Sequence, residues 1–204
     1  MTKALPRAVF ALACAPVAWL LAAALLGRLS ADPIAKVLNE LGLWTLRLLL
    51  ASLACTPLQI VFGWKWPLRL RRMLGLFAFF YGCAHFLTYS VLDQGLAVGE
   101  IWKDVVKRKF ITIGMATLLV LLPLAVTSTN KWMRRLGFKR WKMLHRLVYL
   151  AGVLAIVHFV WRVKKDLTEP LVYGAILAVL LGVRVVSASR AAVNRRAKRA
   201  TVAG

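Results

Sequence analysis

The sequence predicts an all-α integral membrane protein, a bundle of about six transmembrane helices. The chain has 204 residues, 61% of them hydrophobic, with a mean hydropathy of +0.71 and a formal net charge of +22. A soluble domain of ordinary composition is roughly half apolar. Here the apolar residues form long blocks, and the charges lie mainly in the gaps between them. A lipid bilayer imposes this pattern, because its core tolerates long apolar helices and little polar surface.

Six apolar blocks define the predicted helices. Each contains roughly 16 to 20 residues, enough to cross or nearly cross a hydrocarbon core about 30 Å thick. The first block resembles a signal peptide, but its apolar run is longer than the ~7–15 residues typical of one, so we predict a retained helix. The whole chain then forms a single transmembrane domain with a basic cytoplasmic tail at 187–204. The predicted helices are 8–27, 43–62, 74–92, 111–128, 144–161 and 171–186.

The charges in the gaps predict the orientation of the chain. All seven acidic residues lie in the first, third and fifth gaps, whereas the other gaps and the termini carry only basic charge. Basic loops stay on the cytoplasmic side, so both termini are expected in the cytoplasm, with the chain in the inner membrane. The bases flank apolar blocks, where they contact anionic lipid. A partner nucleic acid is therefore not predicted, despite a pI near 11.3.

Two of the three histidines are predicted to lie at the same depth on different helices. His85 is in the third block and His158 is near the end of the fifth. At ~1.5 Å per residue, each lies roughly 18–20 Å from the cytoplasmic end of its helix. Such a pair can ligate one heme iron from both sides. The alternative is that each is a neutral histidine hydrogen-bonded to a neighbouring helix.

Small residues share the helix face of His85. Gly75, Ala78 and Gly82 precede it at a spacing that places all four along one side. They would either allow close helix packing or leave the slot that a porphyrin needs, and the facing histidine favours the slot.

The third histidine raises the question of a second heme. His145 is thirteen residues before His158, which corresponds to ~20 Å of rise and roughly 220° of rotation, so the two cannot share one iron. If His145 is also an axial ligand, two hemes lie across the membrane. At its level on the third helix stand Arg71 and Arg72, which could pair with heme propionates but are not ordinary iron ligands. One heme b, with a second left open, is therefore predicted.

Two further basic features have two interpretations each. Arg47 lies inside the second block, where it either extends to the membrane surface or binds a propionate of the heme between His85 and His158. The basic gap at 131–142 either contacts anionic lipid or attracts an acidic soluble electron donor.

Several segments together resemble a known family, the MsrQ (YedZ) heme-binding membrane subunits of bacterial methionine sulfoxide reductase systems. More distantly, the chain is similar to the ferric reductase-like transmembrane domains of NADPH oxidases and iron reductases. The resemblance extends from about Leu41 to Arg184. The segments that carry it, in chain order, are 42–47, 56–58, 71–75 leading to His85, 124–128, and 141–149 leading to His158.

The resemblance implies an electron-transfer subunit rather than a catalytic one. Such a protein takes electrons from the quinone pool or a cytosolic flavin reductase. It delivers them to a periplasmic molybdenum-containing enzyme that repairs oxidised methionine in proteins. FMN is also implied by the family, although no flavin motif is visible in the residues. The alternative functions are a small transporter whose histidines relay protons and a purely structural membrane subunit. No acidic residue lies inside an apolar block, which disfavours transport.

Overall fold

The described part of the chain folds into helices joined by short connecting segments. The computed structural model describes the backbone of residues 4–163 and 165–203, and side chains as far as Arg195. Gly204 and the side chains after Arg195, which belong to the predicted basic tail, lie outside the described residues. The helices are α1 (Ala4–Leu25), α2 (Pro33–Phe62), α3 (Pro67–Leu87), α4 (Val98–Lys107), α5 (Lys109–Val126), α6 (Asn130–Leu136), α7 (Phe138–Leu144), α8 (Leu147–Arg162) and α9 (Thr168–Ala203). A π-helical segment, Thr88–Asp93, continues α3.

Among the residues that the structure describes, six helical segments are long and apolar enough to cross a membrane. They are α1, α2, α3 with its π-helical segment, α5, α7 together with α8, and α9. This confirms the predicted all-α membrane fold. Many large hydrophobic side chains on these segments point outward, for example Phe80, Leu119 and Val179, each at least 60% exposed. A water-soluble protein of this size rarely exposes so much apolar surface, whereas in a bilayer these side chains contact lipid.

Helix α2 extends well beyond its apolar block at 43–62. The Asp32 side chain caps the helix by accepting a hydrogen bond from a first-turn backbone N–H at 3.0 Å, and Pro33 at the first position is pre-set for helical geometry. Lys36 and Glu40 form an ion pair one turn apart, at 2.9 Å. These local interactions support helix in a polar stretch that hydropathy alone assigns to a gap.

The predicted gaps also contain short helices. Helix α4 lies between the third and fourth spans, and α6 and α7 lie between the fourth and fifth. On α4, the exposed apolar residues Val98, Trp102 and Val106 recur every four positions, as in a helix that lies in a membrane interface. We call the end of the bundle that carries this helix the α4 end, and the opposite end, which carries α6 and α7, the α7 end.

Helix α2 is the centre of the bundle. It packs most extensively against α3 and also contacts α1, α8 and α9, while α5 packs against α8. The most deeply buried side chains of the core include Ala78 and Ala151, which have no exposed surface, and Leu49, which is 1% exposed. A second cluster, between α2, α8 and α9, includes Leu53 and Leu177. The interior between α2, α3, α5 and α8 holds the candidate site.

One tyrosine of α3 bonds directly to the backbone of helix α1. The hydroxyl of Tyr81 on α3 donates to the backbone oxygen of Ala13 at 2.7 Å and accepts from the N–H of Val17 at 3.3 Å. In an uninterrupted helix these two backbone groups would bond to each other. Pro16, which lies between them, has no backbone N–H and disturbs the helix locally. The inserted hydroxyl satisfies both backbone groups and fixes α1 against α3.

Candidate functional site

Two of the three histidines face each other inside the bundle. His85 lies near the end of α3, and His158 lies one turn from the end of α8. Their ring centroids are 6.2 Å apart, and the ring planes are inclined at 83°. One metal ion bound between two imidazoles, at about 2 Å from each nitrogen, would hold the ring centroids roughly 6 Å apart. The rings are therefore separated by the distance that a shared metal requires.

Each ring is oriented by a backbone carbonyl of a neighbouring helix. Nδ1 of His85 is 2.9 Å from the oxygen of Leu38 on α2, and Nδ1 of His158 is 2.6 Å from the oxygen of Phe110 on α5. A carbonyl oxygen only accepts, so each Nδ1 must carry the proton, which leaves the Nε2 lone pair free. In residues 4–163 and 165–203, neither Nε2 takes part in a hydrogen bond. Metal-ligating histidines are commonly oriented in this way.

The two rings border one cavity of about 300 Å³ between α2, α3, α5 and α8. This volume lies at the lower end of the range for ligand sites. Glycines on three of the four helices, Gly42, Gly82 and Gly114, contribute to its wall. The rest of the lining is largely apolar and includes Leu46, Phe86, Ile111, Met115, Leu118 and Phe159. A flat, mostly apolar ligand with a central metal matches this lining.

The small-residue face of α3 serves two purposes. Gly82 lines the cavity. Gly75 instead faces Ser52 on α2, where an added Cβ would lie 3.4 Å from the Ser52 hydroxyl oxygen. Ala78 is fully buried in the core. The predicted slot is therefore limited to the last turn of this face, and the first two turns allow α2 and α3 to pack closely.

Polar residues are concentrated at the α4 end of the cavity. Tyr89 and Asp93, both on the π-helical segment, line it together with Arg108 and Arg162. The carboxylate of Asp104 on α4 accepts from the Tyr89 hydroxyl at 3.1 Å and pairs with Nε of Arg108 at 3.1 Å. π-Helical turns are rare and often occur at functional sites. The cavity thus has an apolar interior and a charged, hydrogen-bonding mouth.

Sequence reasoning did not identify the two cavity arginines. Arg162 follows His158 by four residues, a spacing that places both on one helix face, so this signal was available. Arg108 precedes the fourth apolar block and is separated from both histidines in sequence. Only the packing of α5 against α3 and α8 brings it to the cavity.

The structure does not bring Arg47 to the histidine pair. Its Nε donates to the hydroxyl of Tyr173 on α9 at 2.9 Å, and its guanidinium lies 5.0 Å from the centre of the Trp44 ring. It is absent from the described residues that line the cavity. Arg47 therefore joins α2 to α9 and has the contacts of a packing residue.

His145 lies toward the α7 end, away from the cavity. Its Nε2 is 3.1 Å from the hydroxyl oxygen of Thr127, and its ring stacks on Trp141 with centroids 4.0 Å apart. The Trp141 indole donates to the backbone oxygen of Thr127 at 2.9 Å. Nε2 of His145, unlike that of His85 or His158, is already occupied.

The two arginines predicted near His145 also have protein partners. Arg71 donates to the hydroxyl of Thr56 at 3.4 Å, and Arg72 donates to the side-chain oxygen of Asn130 at 2.9 Å. These contacts join α3 to α2 and to α6. The structure places Arg71, Arg72 and His145 outside the wall of the cavity that contains the facing histidines.

The number of ligating side chains at the site limits which metal group His85 and His158 can bind. In the part of the chain that the structure describes, no group of three or more His, Cys, Asp or Glu side chains is arranged to bind a metal ion. Two imidazoles on opposite sides of a metal leave its remaining positions to other donors. A porphyrin supplies four nitrogens in the plane between two axial histidines. The residues present therefore fit heme better than a bare ion.

Fold and site together define a class: a polytopic membrane protein with an intramembrane pair of facing imidazoles. Residues 41–156 match the family described as the ferric reductase like transmembrane component. The chain belongs to this family, and within it to the MsrQ group.

Relatives from several bacteria are similar over most of their length. One from Rhodospirillum rubrum is 54% identical over 193 residues, covering 95% of this chain and 91% of the relative. One from Ralstonia nicotianae is 47% identical, covering 90% and 85% respectively. One from Herminiimonas arsenicoxydans is 51% identical, covering 78% and 73%. All three are named protein-methionine-sulfoxide reductase heme-binding subunit MsrQ.

Proposed function

We propose that this protein binds one heme b between His85 and His158 and carries electrons across the bacterial inner membrane to a methionine sulfoxide reductase. The 6.2 Å separation of the two rings, each with Nδ1 bonded to a carbonyl, is the observation that carries the proposal. The relatives named as heme-binding subunits support the same assignment.

Each part of the cavity has a role in this proposal. The Nε2 atoms of His85 and His158 would be the axial ligands, and the apolar wall would exclude water from the metal. Arg162 would bind a propionate at the cavity mouth, because guanidinium groups pair strongly with carboxylates. Arg108, already paired with Asp104, would lie beside it. Bound heme supplies a one-electron carrier held within the membrane. His145, with Nε2 already hydrogen-bonded to Thr127, is not assigned a heme.

The direction of transfer follows from the proposed topology. Acidic residues occur only in alternate gaps, which supports both termini in the cytoplasm and the α4 end on the periplasmic side. The cavity mouth would then face a periplasmic molybdenum-containing catalytic subunit. Electrons would enter from the quinone pool or a cytosolic flavin reductase at the α7 end, where α6 and α7 carry many basic residues. FMN stays a prediction from the family resemblance.

An absorption spectrum tests the central proposal. The protein, purified in mild detergent from heme-replete cells, should show a Soret band, and dithionite should produce the α and β bands of a six-coordinate b-type heme. Pyridine hemochrome analysis should give about one heme per chain. A colourless preparation, or a five-coordinate high-spin spectrum, would contradict a bis-histidine site.

Reoxidation kinetics test the partner. Anaerobically reduced protein should be reoxidised when a periplasmic methionine sulfoxide reductase and a peptide methionine sulfoxide are both added. Omitting the sulfoxide is the control and should leave the heme reduced after any initial oxidation of the reductase itself. Equal reoxidation with and without the enzyme would exclude this partner.

Reporter fusions test the orientation. Green fluorescent protein fused after Gly204 should fluoresce, and alkaline phosphatase fused there should be inactive, if the C-terminus is cytoplasmic. Alkaline phosphatase inserted after Gly95, in the segment before α4, should be active. The reverse pattern would place the cavity mouth on the cytoplasmic side.

A further inference from the structure

The two facing histidines rest on two glycines in the same local arrangement. Gly42 on α2 is so close to His85 that an added Cβ would lie 3.1 Å from Cε1 and 3.2 Å from Nδ1 of the ring. Gly114 on α5 is closer still to His158, and its Cβ would lie 2.8 Å from the same two atoms. Each imidazole therefore lies directly against the backbone of a helix that does not carry it.

The carbonyl that orients each ring belongs to the same helix turn as the glycine. His85 bonds to Leu38, four residues before Gly42, and His158 bonds to Phe110, four residues before Gly114. In a helix the carbonyl of residue i points toward the N–H of residue i+4, and its second lone pair can accept the imidazole N–H. The absence of a side chain at i+4 is what allows the ring to reach that carbonyl.

The arrangement occurs twice, on two pairs of helices. Helix α2 holds the histidine of α3, and α5 holds the histidine of α8, and these are two closely packed pairs in the bundle. Other glycines in the spans do not contact a histidine. An added Cβ on Gly152 would meet Leu177 at 3.2 Å, and one on Gly182 would meet nothing within 4 Å.

We infer that Gly42 and Gly114 are positioning residues that fix the two imidazole planes, and so the near-perpendicular relation between them, at the metal site. This inference rests on the proposed bis-histidine heme site and extends it to residues that have no ligand atom of their own. A methyl group at Gly114 cannot be accommodated by a small shift of the ring, because the same ring is held by the Phe110 carbonyl. The ring must rotate or leave that carbonyl, and its Nε2 moves with it.

Electron paramagnetic resonance of the ferric protein gives a direct readout, because the largest g value of a low-spin bis-imidazole heme depends on the angle between the ring planes. The wild-type protein should give the large, strongly anisotropic g value of near-perpendicular rings. Gly114→Ala should shift this value and weaken heme retention about 10-fold, the scale typical of lost outer-shell contacts to a metal ligand. Gly42→Ala, with the longer contact, should shift it less.

Two glycines provide matched controls. Gly152→Ala introduces a methyl group into a helix contact about as tight as that of Gly42, 3.2 Å against 3.1 Å, that involves Leu177 instead of a histidine. It should therefore lower thermal stability and leave the g values unchanged. Gly182→Ala, where an added Cβ meets nothing within 4 Å, should leave the g values unchanged and should not lower thermal stability. If Gly114→Ala and Gly152→Ala both destabilise the fold but leave the g values at the wild-type position, the positioning role is wrong.

A ligand variant separates this inference from the proposed function. His158→Ala should lose the bis-histidine spectrum altogether if His158 binds the iron. Loss in His158→Ala with unchanged g values in Gly114→Ala would overturn the glycine inference alone. An unchanged spectrum in His158→Ala would overturn the proposed heme site and the inference with it.

Discussion

The facing histidines and His145 show how the same residue type serves different purposes at the two ends of one bundle. At the α4 end, His85 and His158 use Nδ1 to bond a carbonyl and leave Nε2 directed at a cavity. At the α7 end, His145 uses Nε2 to bond Thr127 and stacks its ring on Trp141. His85 and His158 thus line one shared cavity, whereas His145 is not among the described residues of its wall.

The arginines differ in the same way, between those bonded to the protein and one that faces the cavity. Arg47, Arg71 and Arg72 each hydrogen-bond to a side chain of another helix. Arg162 lines the cavity and forms no salt bridge among the described residues. A cation that is already bonded to the protein supports the bundle, whereas one that faces a cavity is available to a ligand.

Replacing either facing histidine by alanine should have the largest effect on heme content. We expect His85→Ala and His158→Ala each to lose heme by at least about 10-fold, because an axial ligand is removed, while His145→Ala retains it. Heme-to-protein ratio after purification, with membrane abundance as the control for folding, measures the difference. Heme loss in His145→Ala at normal abundance would mean that the α7 end also holds a heme.

Neutralising Arg162 should have the next largest effect on heme binding. Hydrogen bonds to charged groups contribute at least about 1.5 kcal/mol, so Arg162→Gln should weaken heme binding roughly 10-fold. The midpoint potential should also fall, because the lost positive charge stabilises the more negative reduced form. Arg47→Gln is the matched control and should leave the potential unchanged. Potentiometric titration of both variants decides whether the cavity arginine is the one that acts on the heme.

Removing the Tyr81 hydroxyl should affect the attachment of α1 without altering the site. Tyr81→Phe leaves the Ala13 carbonyl and the Val17 N–H without their shared partner, at a cost of about 1–3 kcal/mol. We expect easier thermal unfolding in detergent and an unchanged heme spectrum. A spectral change of the size seen for the ligand variants would show that α1 supports the cavity as well.

The smallest effect is expected at the polar start of α2. Asp32→Ala removes the N-cap and should destabilise that end of the helix by about 1 kcal/mol. Leu38 and Gly42 lie in the affected turns, so hydrogen exchange there should accelerate. Glu40→Gln, which removes only a half-buried ion pair, should cost a few tenths of a kcal/mol. Equal exchange rates in wild type and Asp32→Ala would show that tertiary packing alone maintains this segment.

The sequence by itself determined the membrane class, the six spans and the two histidines. Long apolar blocks are a local property, because a bilayer requires each span separately to be apolar and to satisfy its own backbone. The rise per residue placed His85 and His158 at one depth, and the structure brings them within 6.2 Å. Local capping at Asp32 and Pro33 was also visible in the sequence, although hydropathy placed the start of α2 ten residues later, at 43 instead of 33.

Only the tertiary structure decided what faces the cavity. Depth does not specify rotation about a helix axis, so Arg47 was an open candidate until the packing of α2 against α9 gave it Tyr173 as a partner. Gly42, Gly114 and Arg108 acquire their roles from helices distant in sequence. A glycine has no side chain, so its presence in a sequence does not by itself indicate a site. Its function here depends on which ring another helix brings against it.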